Sequence, residues 1–364
     1  MIKTVVAIVL FIGHVLASQS INTAQWPTDR WTRSTSAEQQ LDSRPLNDLV
    51  DLMREGNVYR DLHSLLIVRN GYLVLEEYFG GYHADSLHTL QSVSKSFASA
   101  LMGIAIEQGK IRDVEEKILD FFPNIRDIQN LDDRKRLIRL KDILTMRSGT
   151  DYREGYDGSP HDRLNHLDRG WDRFYLNRPM VSRPGSRFQY DSGGVILMSA
   201  ILKNRAGMHA DGFADHFLFP PMGISKRDWF RNEEGHPHTG GGLYLLPRDM
   251  AKFGLLYLRG GKWEDQQVVP AWWVEESFKK HVSFSDRRSG HDIGYGYLWW
   301  ILEPDPDGSG KVNIFAAKGF MGQYIFVIPE HDMVVVVTGG ARSGSDMRRP
   351  VDFLYSHILP SVQR

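Results

Sequence analysis

The residues Gln91-Ser92-Val93-Ser94-Lys95-Ser96-Phe97 begin an apolar run that continues to Gly109. A run of this length predicts a largely buried helix. Ser92 and Lys95 are three positions apart and therefore share one face of that helix. The N-terminus of a helix also offers free N–H groups and a positive potential. These features predict a serine nucleophile paired with a lysine, an arrangement used in serine hydrolysis.

The Ser-x-x-Lys spacing is weak evidence by itself, because the chain has 44 lysines and arginines. Ser277-Phe278-Lys279-Lys280 repeats the spacing in a charged, Trp-rich segment, and we interpret this copy as solvated surface. The copy at Ser92 differs because it follows a predicted hairpin and enters an apolar helix. Ser92 and Lys95 are therefore the candidate catalytic pair.

Two predicted hairpins lie towards the two ends of the chain. Leu65-Leu66-Ile67-Val68 and Tyr72-Leu73-Val74-Leu75 are joined by Asn70-Gly71, a strong hairpin-turn signal. Residues 323–338 form the second hairpin around Pro329-Glu330-His331-Asp332. We therefore expect the chain to begin and end in an antiparallel sheet.

The region between the hairpins is mostly helical, with Gly and Pro punctuation. The predicted helices are 140–146, 195–205, 247–259 and 270–280, and a helical tail covers 345–359. These elements predict an α+β fold, in which helices flank a sheet built from both chain ends and a mostly helical lobe is inserted. The expected units are a signal peptide (1–17), an N-terminal extension (18–60), an α/β lobe (61–110 and 285–364) and the inserted lobe (111–284). The nucleophile helix then lies at the lobe boundary, where clefts form.

The N-terminal residues have the pattern of a secretory signal. Lys3 precedes an uncharged run, 4–16, and the small residues Ala17-Ser18 follow it. The run is shorter than the roughly 20 residues that span a bilayer. We therefore expect cleavage near Ala17, export to the periplasm or the medium, and no stable membrane anchor.

Composition excludes several classes of function. The chain has no cysteine, which excludes a thiol nucleophile and Cys-based metal sites. The net charge of −1 gives no argument for nucleic-acid binding. His236-Pro237-His238 offers two metal ligands without an accompanying His-Glu-x-x-His motif. We expect neither a metal nor a cofactor, and the sequence does not indicate an oligomeric state.

Tyr190-Asp191-Ser192 is the candidate for the group that passes a proton to the leaving group. It follows a turn, 184–188, and precedes Gly193-Gly194 and an apolar helix. A tyrosine phenol beside cationic neighbours can carry out this transfer. Tyr175-Leu176-Asn177 is a rival, but its aromatic neighbours predict a packed helix end, so we assign Tyr175 to the core.

A tetrahedral intermediate needs two preorganised donors for its oxyanion. Gly319-Phe320-Met321-Gly322-Gln323 leads into the second hairpin, and its glycines permit close backbone approach. The candidate residues of this strand edge are Gly319, Met321, Gly322 and Gln323. His238-Thr239-Gly240-Gly241-Gly242 is a rival that we interpret as a structural glycine turn. Asp151 and Tyr152, which begin a loop rich in His and Asp, are candidates for lining the substrate entrance.

Further motifs follow in a fixed order along the chain. They are Leu144-Thr145-Met146-Arg147-Ser148-Gly149, Gly241-Gly242-Leu243, Pro247-Arg248-Asp249-Met250, Tyr295-Gly296-Tyr297-Leu298-Trp299-Trp300 and Gly322-Gln323. With Ser92-x-x-Lys95 and Tyr190-x-Ser192, this set resembles the serine β-lactamase and penicillin-binding-protein superfamily. The resemblance covers roughly residues 60–360 and is to the branch of class C β-lactamases, D-alanyl-D-alanine peptidases, family VIII esterases and 6-aminohexanoate-dimer hydrolases.

The resemblance implies a β-lactamase/transpeptidase-like fold and an acyl-enzyme on Ser92. Lys95 and Tyr190 would share proton transfer, with either residue as the base. Ser192 would tie the Tyr190 loop to Lys95.

One motif departs from the family pattern. No Lys-Ser-Gly or Lys-Thr-Gly occurs in the chain, and the nearest substitute is Lys318-Gly319-Phe320. In true β-lactamases that motif binds the carboxylate of a β-lactam or a D-Ala terminus. We therefore expect a secreted serine hydrolase of carboxylic esters or small amides. The alternatives are a β-lactamase or D-Ala-D-Ala carboxypeptidase, and a catalytically silent binder of cell-wall peptides.

Overall fold

The computed structural model describes residues 26–56, 61–285, 292–302 and 312–363. The predicted signal peptide, 1–17, lies outside these ranges. The helices are α1 (Ser43–Glu55), α2 (Ser94–Glu107), α3 (Leu140–Leu144), α4 (Pro160–Asn165), α5 (Trp171–Leu176), α6 (Ser192–Ala206), α7 (Ala210–Phe217), α8 (Pro247–Leu258), α9 (Ala271–Phe278) and α10 (Arg349–Phe353). The strands are β1 (Leu62–Arg69), β2 (Tyr72–Tyr78), β3 (His88–Thr89), β4 (Arg227–Trp229), β5 (Leu243–Leu245), β6 (Lys262–Trp263), β7 (Gln266–Gln267), β8 (Val282–Ser285), β9 (Asp292–Tyr295), β10 (Trp300–Leu302), β11 (Ile314–Gly319), β12 (Gln323–Ile328) and β13 (Met333–Gly339).

The main sheet joins the two halves of the chain. Its strand order is β2-β1-β13-β12-β11-β10-β9-β8, and neighbouring strands are antiparallel. β1 pairs with β13, so that Leu65 lies opposite Val337 and Val68 opposite Val334. The prediction of an α+β fold with an antiparallel sheet built from both chain ends is confirmed.

The turn between β1 and β2 has the backbone conformation that its Asn-Gly sequence predicts. Asn70 and Gly71 both have positive φ, 52° and 81°, as a two-residue type I′ turn requires. The turn of the second hairpin ends at Asp332, whose carbonyl accepts a hydrogen bond from the Asn70 N–H at 2.9 Å. The two hairpin turns therefore lie side by side at one end of the sheet.

Both faces of the sheet are buried. On β1, Leu66 and Val68 enter the core beneath α2 and α8, whereas Leu65 and Ile67 enter the core on the opposite face. α8 packs on β12 and β13, and α1 packs on the helical tail at the other face. Consecutive residues of β1 are therefore apolar, because successive side chains point to opposite faces of the sheet and both faces are buried.

A small second sheet positions the nucleophile segment. It has the order β3-β5-β4, and it places His88 opposite Leu245 and Thr89 opposite Tyr244. The Leu90 N–H then donates to the Leu243 carbonyl at 2.9 Å. The backbone that leads into Ser92 is thus fixed by hydrogen bonds to a strand from the middle of the chain.

Gly103 tests how tightly the nucleophile helix is packed. A Cβ at this position would lie 2.4 Å from the Trp273 ring of α9, whereas a Cβ at Gly212 of α7 would meet nothing within 4 Å. We expect Gly103→Ala to lower the free energy of unfolding by about 1–3 kcal/mol through overpacking. Gly212→Ala should raise it by about 0.5–1 kcal/mol through helix propensity. Urea unfolding measures both, and equal effects would contradict this packing.

Candidate active site

Ser92 lies in a tight turn, Gln91–Val93, that leads directly into α2. This nucleophile turn is 3₁₀-helical, a geometry that aligns residues three apart even more closely than an α-helix does. The Lys95 Nζ lies 2.8 Å from the Ser92 Oγ. The predicted pair is therefore brought into hydrogen-bond contact, and Ser92 is partly exposed while Lys95 is buried.

Gln91, the residue before Ser92, has a φ of 48°. A residue with a side chain adopts this left-handed conformation only at a cost in free energy, and such positions are concentrated at functional sites.

The environment of Lys95 favours its neutral form. Burial lowers the pKa of Lys95 to about 8, and the negative charges of Glu154 and Asp191 oppose this shift. Its second hydrogen bond goes to the Gly240 carbonyl at 2.5 Å. An amine with this pKa is partly unprotonated near neutral pH and can accept a proton.

Tyr190 lies close to both Lys95 and Ser92. The Lys95 Nζ is 5.0 Å from the centroid of the Tyr190 ring, and that ring stacks on Trp300 at 5.9 Å. Burial raises the pKa of the Tyr190 phenol, the charge of Glu154 raises it further, and a hydrogen bond with Ser92 opposes the rise. The phenol therefore stays protonated at neutral pH and can donate a proton, whereas a fraction of Lys95 is neutral and can accept one.

Asp191 holds the end of the Tyr190 loop, residues 184–191. Its side chain caps α6 by accepting from the Gly194 N–H at 2.9 Å, and it also accepts from Ser148 at 2.7 Å and Tyr175 at 2.5 Å. Burial raises the pKa of Asp191 to about 6, and these hydrogen bonds oppose the rise. The rival tyrosine, Tyr175, is thus a core residue that supports Asp191, as the sequence predicts.

Ser192, the first residue of α6, is buried. Its backbone N–H donates to the Glu154 carboxylate at 2.6 Å. The hydrogen bonds of the Lys95 ammonium that the structure shows go to Ser92 and Gly240, so Ser192 acts here through its backbone towards Glu154.

The segment 319–323 comes close to the nucleophile turn at its first residue. A Cβ on Gly319 would lie 2.5 Å from the Leu90 carbonyl, so only glycine permits this approach. Met321 has a φ of 64° and Gly322 a φ of 88°, so the backbone turns sharply here. Gln323 is buried, and its side chain exchanges two hydrogen bonds with Gly339 on β13. Gly319 therefore lies at the site, whereas the Gln323 side chain fastens the turn to the sheet.

The glycine turn, residues 238–242, has a larger part in the site than the sequence interpretation gave it. The Gly240 carbonyl is a direct partner of Lys95. A Cβ on Gly240 would lie 3.1 Å from Ile196 and 3.2 Å from the Ser192 carbonyl, so the turn fits closely against α6. No sequence signal distinguishes this turn from an ordinary glycine turn, because its partner is 145 residues away.

The two candidates for the substrate entrance are both tied into the protein. Asp151 forms an ion pair with Arg178, with contacts of 2.8 and 2.5 Å, and borders a polar surface cavity of about 390 Å³. Tyr152 is completely buried, and its hydroxyl bonds to His161 at 2.9 Å. Tyr152 therefore packs beneath the loop instead of facing an open entrance, because its ring fills the space beside Gly193.

The second Ser-x-x-Lys copy is the solvated surface that we expected at Lys279 and Lys280, which are exposed, but not at Ser277. Ser277 is fully buried on α9, and a Cβ on Gly296 would lie 1.9 Å from its carbonyl. The inner face of α9 packs against α2 through Trp273, which explains the burial of Ser277.

The described residues contain no cluster of three or more His, Cys, Asp or Glu side chains that could hold a metal ion. His236 and His238 have separate partners, His209 and Asn165, each at 3.2 Å. Among the described helices, none is both long and apolar enough to cross a membrane.

Comparison with known proteins agrees with this geometry. A family model described as Beta-lactamase matches residues 63–349. The chain belongs to the β-lactamase family. It is 23% identical to the 6-aminohexanoate-dimer hydrolase of Paenarthrobacter ureafaciens over 294 residues, which cover 75% of this chain and 71% of that protein.

Solved structures share the fold. EstCE1, a hydrolase with promiscuous acyltransferase activity, superposes with a TM-score of 0.72 and 18% identity, over 88% of this chain and 99% of that one. A class C β-lactamase from Rhodobacter sphaeroides superposes with a TM-score of 0.63 and 19% identity, over 87% of this chain and 100% of that one. The β-lactamase-family chain described here is therefore a serine hydrolase with the β-lactamase/transpeptidase fold.

Tyr175→Phe tests the support beneath the Tyr190 loop. The change removes the hydroxyl that bonds to Asp191 and leaves a buried carboxylate with fewer donors. We expect a loss of about 1–3 kcal/mol in the free energy of unfolding. Tyr244→Phe is the matched control, because Tyr244 is 37% exposed, and it should change stability by no more than about 0.5 kcal/mol. Urea unfolding of both variants measures the difference, and indistinguishable values would exclude this role for Tyr175.

Proposed function

We propose that the protein hydrolyses carboxylic esters or small amides through an acyl-enzyme on Ser92. The observation that carries the proposal is the 2.8 Å contact between the Lys95 Nζ and the Ser92 Oγ, with the pKa of Lys95 lowered by burial. A serine hydroxyl becomes an effective nucleophile when an adjacent base takes its proton. Lys95 is in position to be that base, and Tyr190 is in position to be the acid.

The proposed acylation step balances as follows. The neutral Lys95 amine takes the hydroxyl proton as the Ser92 Oγ attacks the substrate carbonyl carbon. The tetrahedral oxyanion is held by the Ser92 N–H and by an N–H of segment 319–323, a role we propose for Gly319, Met321, Gly322 or Gln323. The bond to the leaving group then breaks, Tyr190 gives its proton to the leaving oxygen or nitrogen, and the Lys95 ammonium returns a proton to Tyr190.

Deacylation repeats the cycle with water. A water molecule attacks the acyl carbonyl and loses a proton to Lys95 through Tyr190, while the Ser92 Oγ leaves and recovers a proton. Acid is released and the starting protonation state is restored. This assignment makes Lys95 the base and Tyr190 the proton carrier, since the pKa of the lysine is lowered and that of the phenol is raised.

β-Lactam or D-Ala-D-Ala hydrolysis is the second candidate, and Lys318 favours it. Lys318 precedes Gly319 at the end of β11, and its Nζ lies 5.5 Å from the centroid of the Trp300 ring, which stacks on Tyr190. A cation at this edge of the site suits a substrate carboxylate. The missing Ser or Thr of the Lys-Ser/Thr-Gly motif is the reason that we place esters and small amides first.

We also propose that residues 1–17 are a signal peptide that directs export. The support is the Lys3 charge, the uncharged run 4–16 and the small residues that follow it. Intact mass of the exported protein locates the cleavage site near Ala17, and an unprocessed N-terminus on exported protein would contradict the proposal.

Ser92→Ala tests the nucleophile. We expect the variant to lose two properties: hydrolysis of p-nitrophenyl butyrate, and formation of a fluorophosphonate adduct that intact mass detects. Its free energy of unfolding should change by no more than about 1 kcal/mol. Ser277→Ala, in the other Ser-x-x-Lys copy, is the matched control and should keep both. Full activity in Ser92→Ala would refute the acyl-enzyme. Rapid opening of a cephalosporin by the wild type would favour the second candidate, and a folded wild type with neither adduct nor turnover would favour a silent binder.

The lowered pKa of Lys95 predicts a pH dependence. Only the neutral amine accepts the Ser92 proton, so kcat/KM for an uncharged ester should rise with pH and level off above an apparent pKa of about 8. Initial rates between about pH 6 and 9 measure the curve, with background hydrolysis subtracted. Lys95→Met should reduce the rate by at least about a hundredfold. A wild-type rate that is flat from pH 6 to 9 would exclude Lys95 as the base.

A further inference from the structure

Glu154 is a carboxylate at the site that the sequence motifs do not indicate. It lies in the loop between β-bridge residue Thr150 and helix α4, and it is half-buried. Its Oε1 accepts from the Ser192 N–H at 2.6 Å, at the first residue of α6. A carboxylate at this end of a helix meets the positive end of the helix dipole. Glu154 therefore connects its loop to the residue that immediately follows Tyr190-Asp191.

The charge of Glu154 acts on both proposed proton-transfer groups. It raises the pKa of Lys95 against the effect of burial, and it raises the pKa of the Tyr190 phenol. Asp191 is the other carboxylate that acts on Lys95, but it already accepts hydrogen bonds from Tyr175, Ser148 and the Gly194 N–H. Glu154 therefore provides negative charge at the site from outside that buried network.

Four further buried titratable groups, two histidines and two tyrosines, lie around the site, and burial disfavours the charged form of each. Burial lowers the pKa of His161, and it lowers the pKa of His238 to about 3, so burial favours the neutral form of both histidines. Burial also raises the pKa of Tyr152 and Tyr295, which keeps these phenols protonated. Asp191, whose pKa burial raises to about 6, completes its ionisation at the acid end of the pH 6–9 range, so the limb near pH 8 is the one that reports Lys95.

We propose that Glu154 is a positioning residue of the Ser92 centre: it holds the Tyr190 loop through the Ser192 N–H and supplies a negative charge that acts on Lys95. The inference rests on the proposed function, because it assigns a role towards Lys95 and Tyr190 in that reaction. The hydrogen bond fixes where the phenol lies relative to the amine. The charge sets the pH at which the amine becomes neutral.

Glu154→Gln separates the charge from the hydrogen bond. The amide oxygen still accepts from the Ser192 N–H, while the negative charge is lost. The limb of the kcat/KM profile that belongs to Lys95 should then move to lower pH. The ratio of activity at pH 6.5 to activity at pH 8.5 should rise roughly two- to sixfold, which corresponds to a shift of about 0.3–1 pH unit. The pH dependence of fluorophosphonate labelling of Ser92, read by intact mass, should move in the same direction.

Two further variants at the same position test the hydrogen bond. Glu154→Ala removes both the charge and the acceptor, so it should add a loss of roughly tenfold or more in kcat to the pH shift, because the Tyr190 loop is no longer held. Glu154→Asp keeps the charge on a shorter side chain, so its profile should stay near that of the wild type while kcat falls. A pH shift in Glu154→Asp as large as that in Glu154→Gln would overturn the electrostatic role. An unchanged kcat in Glu154→Ala would overturn the positioning role.

Asp157→Asn is the matched control, because Asp157 is an exposed carboxylate of the same loop. Its pH profile should superimpose on that of the wild type. A shift equal to that of Glu154→Gln would mean that the pH shift comes from the change in net charge of the protein and not from the position of Glu154. Thermal unfolding of each variant shows whether it is folded.

If the wild type is not labelled at Ser92, the proposed function itself fails. If the wild type is labelled and the Glu154→Gln profile superimposes on it, only the role of Glu154 fails.

Discussion

A buried lysine amine, held between a serine hydroxyl and a backbone carbonyl, is the constraint on which the site depends. Removing Lys95 from water disfavours its charged form, and this cost is offset only where partners surround it. Its Nζ meets the Ser92 Oγ at 2.8 Å and the Gly240 carbonyl at 2.5 Å, and two carboxylates act on it from further away. The nucleophile turn and the glycine turn, which are far apart in the chain, must therefore converge on one atom.

The two sheets explain how that convergence is reached. Pairing of β1 with β13 brings the end of the chain beside its beginning, and it places the segment 319–323 against the nucleophile turn. The small sheet fixes the backbone before Ser92 to β5, which continues directly from the glycine turn that holds Lys95. Positive φ values at Gln91 and Met321, 48° and 64°, show where the backbone is strained to complete this arrangement.

The proton-transfer groups are differentiated by their surroundings. Both are withdrawn from water, but burial acts in opposite directions on an amine and a phenol, since it disfavours the charged form of each. The pKa of Lys95 therefore falls while that of Tyr190 rises. One environment thus produces a base and an acid at the same pH, which a serine hydrolase needs for attack on the substrate and departure of the leaving group.

The sequence by itself determined the local features: the Ser92 and Lys95 spacing, the Asn70-Gly71 turn and both hairpins. These follow from periodicity and from residues whose backbone preferences are strong, so neighbours in the chain are sufficient to predict them. Only the tertiary structure decided the partner of Lys95 at Gly240, the burial of Tyr152 and Ser277, and the contact of Glu154 with Ser192. Each of these joins or buries residues far apart in the chain, and a loop carboxylate or a glycine turn has no pattern that reveals which distant residue it will meet.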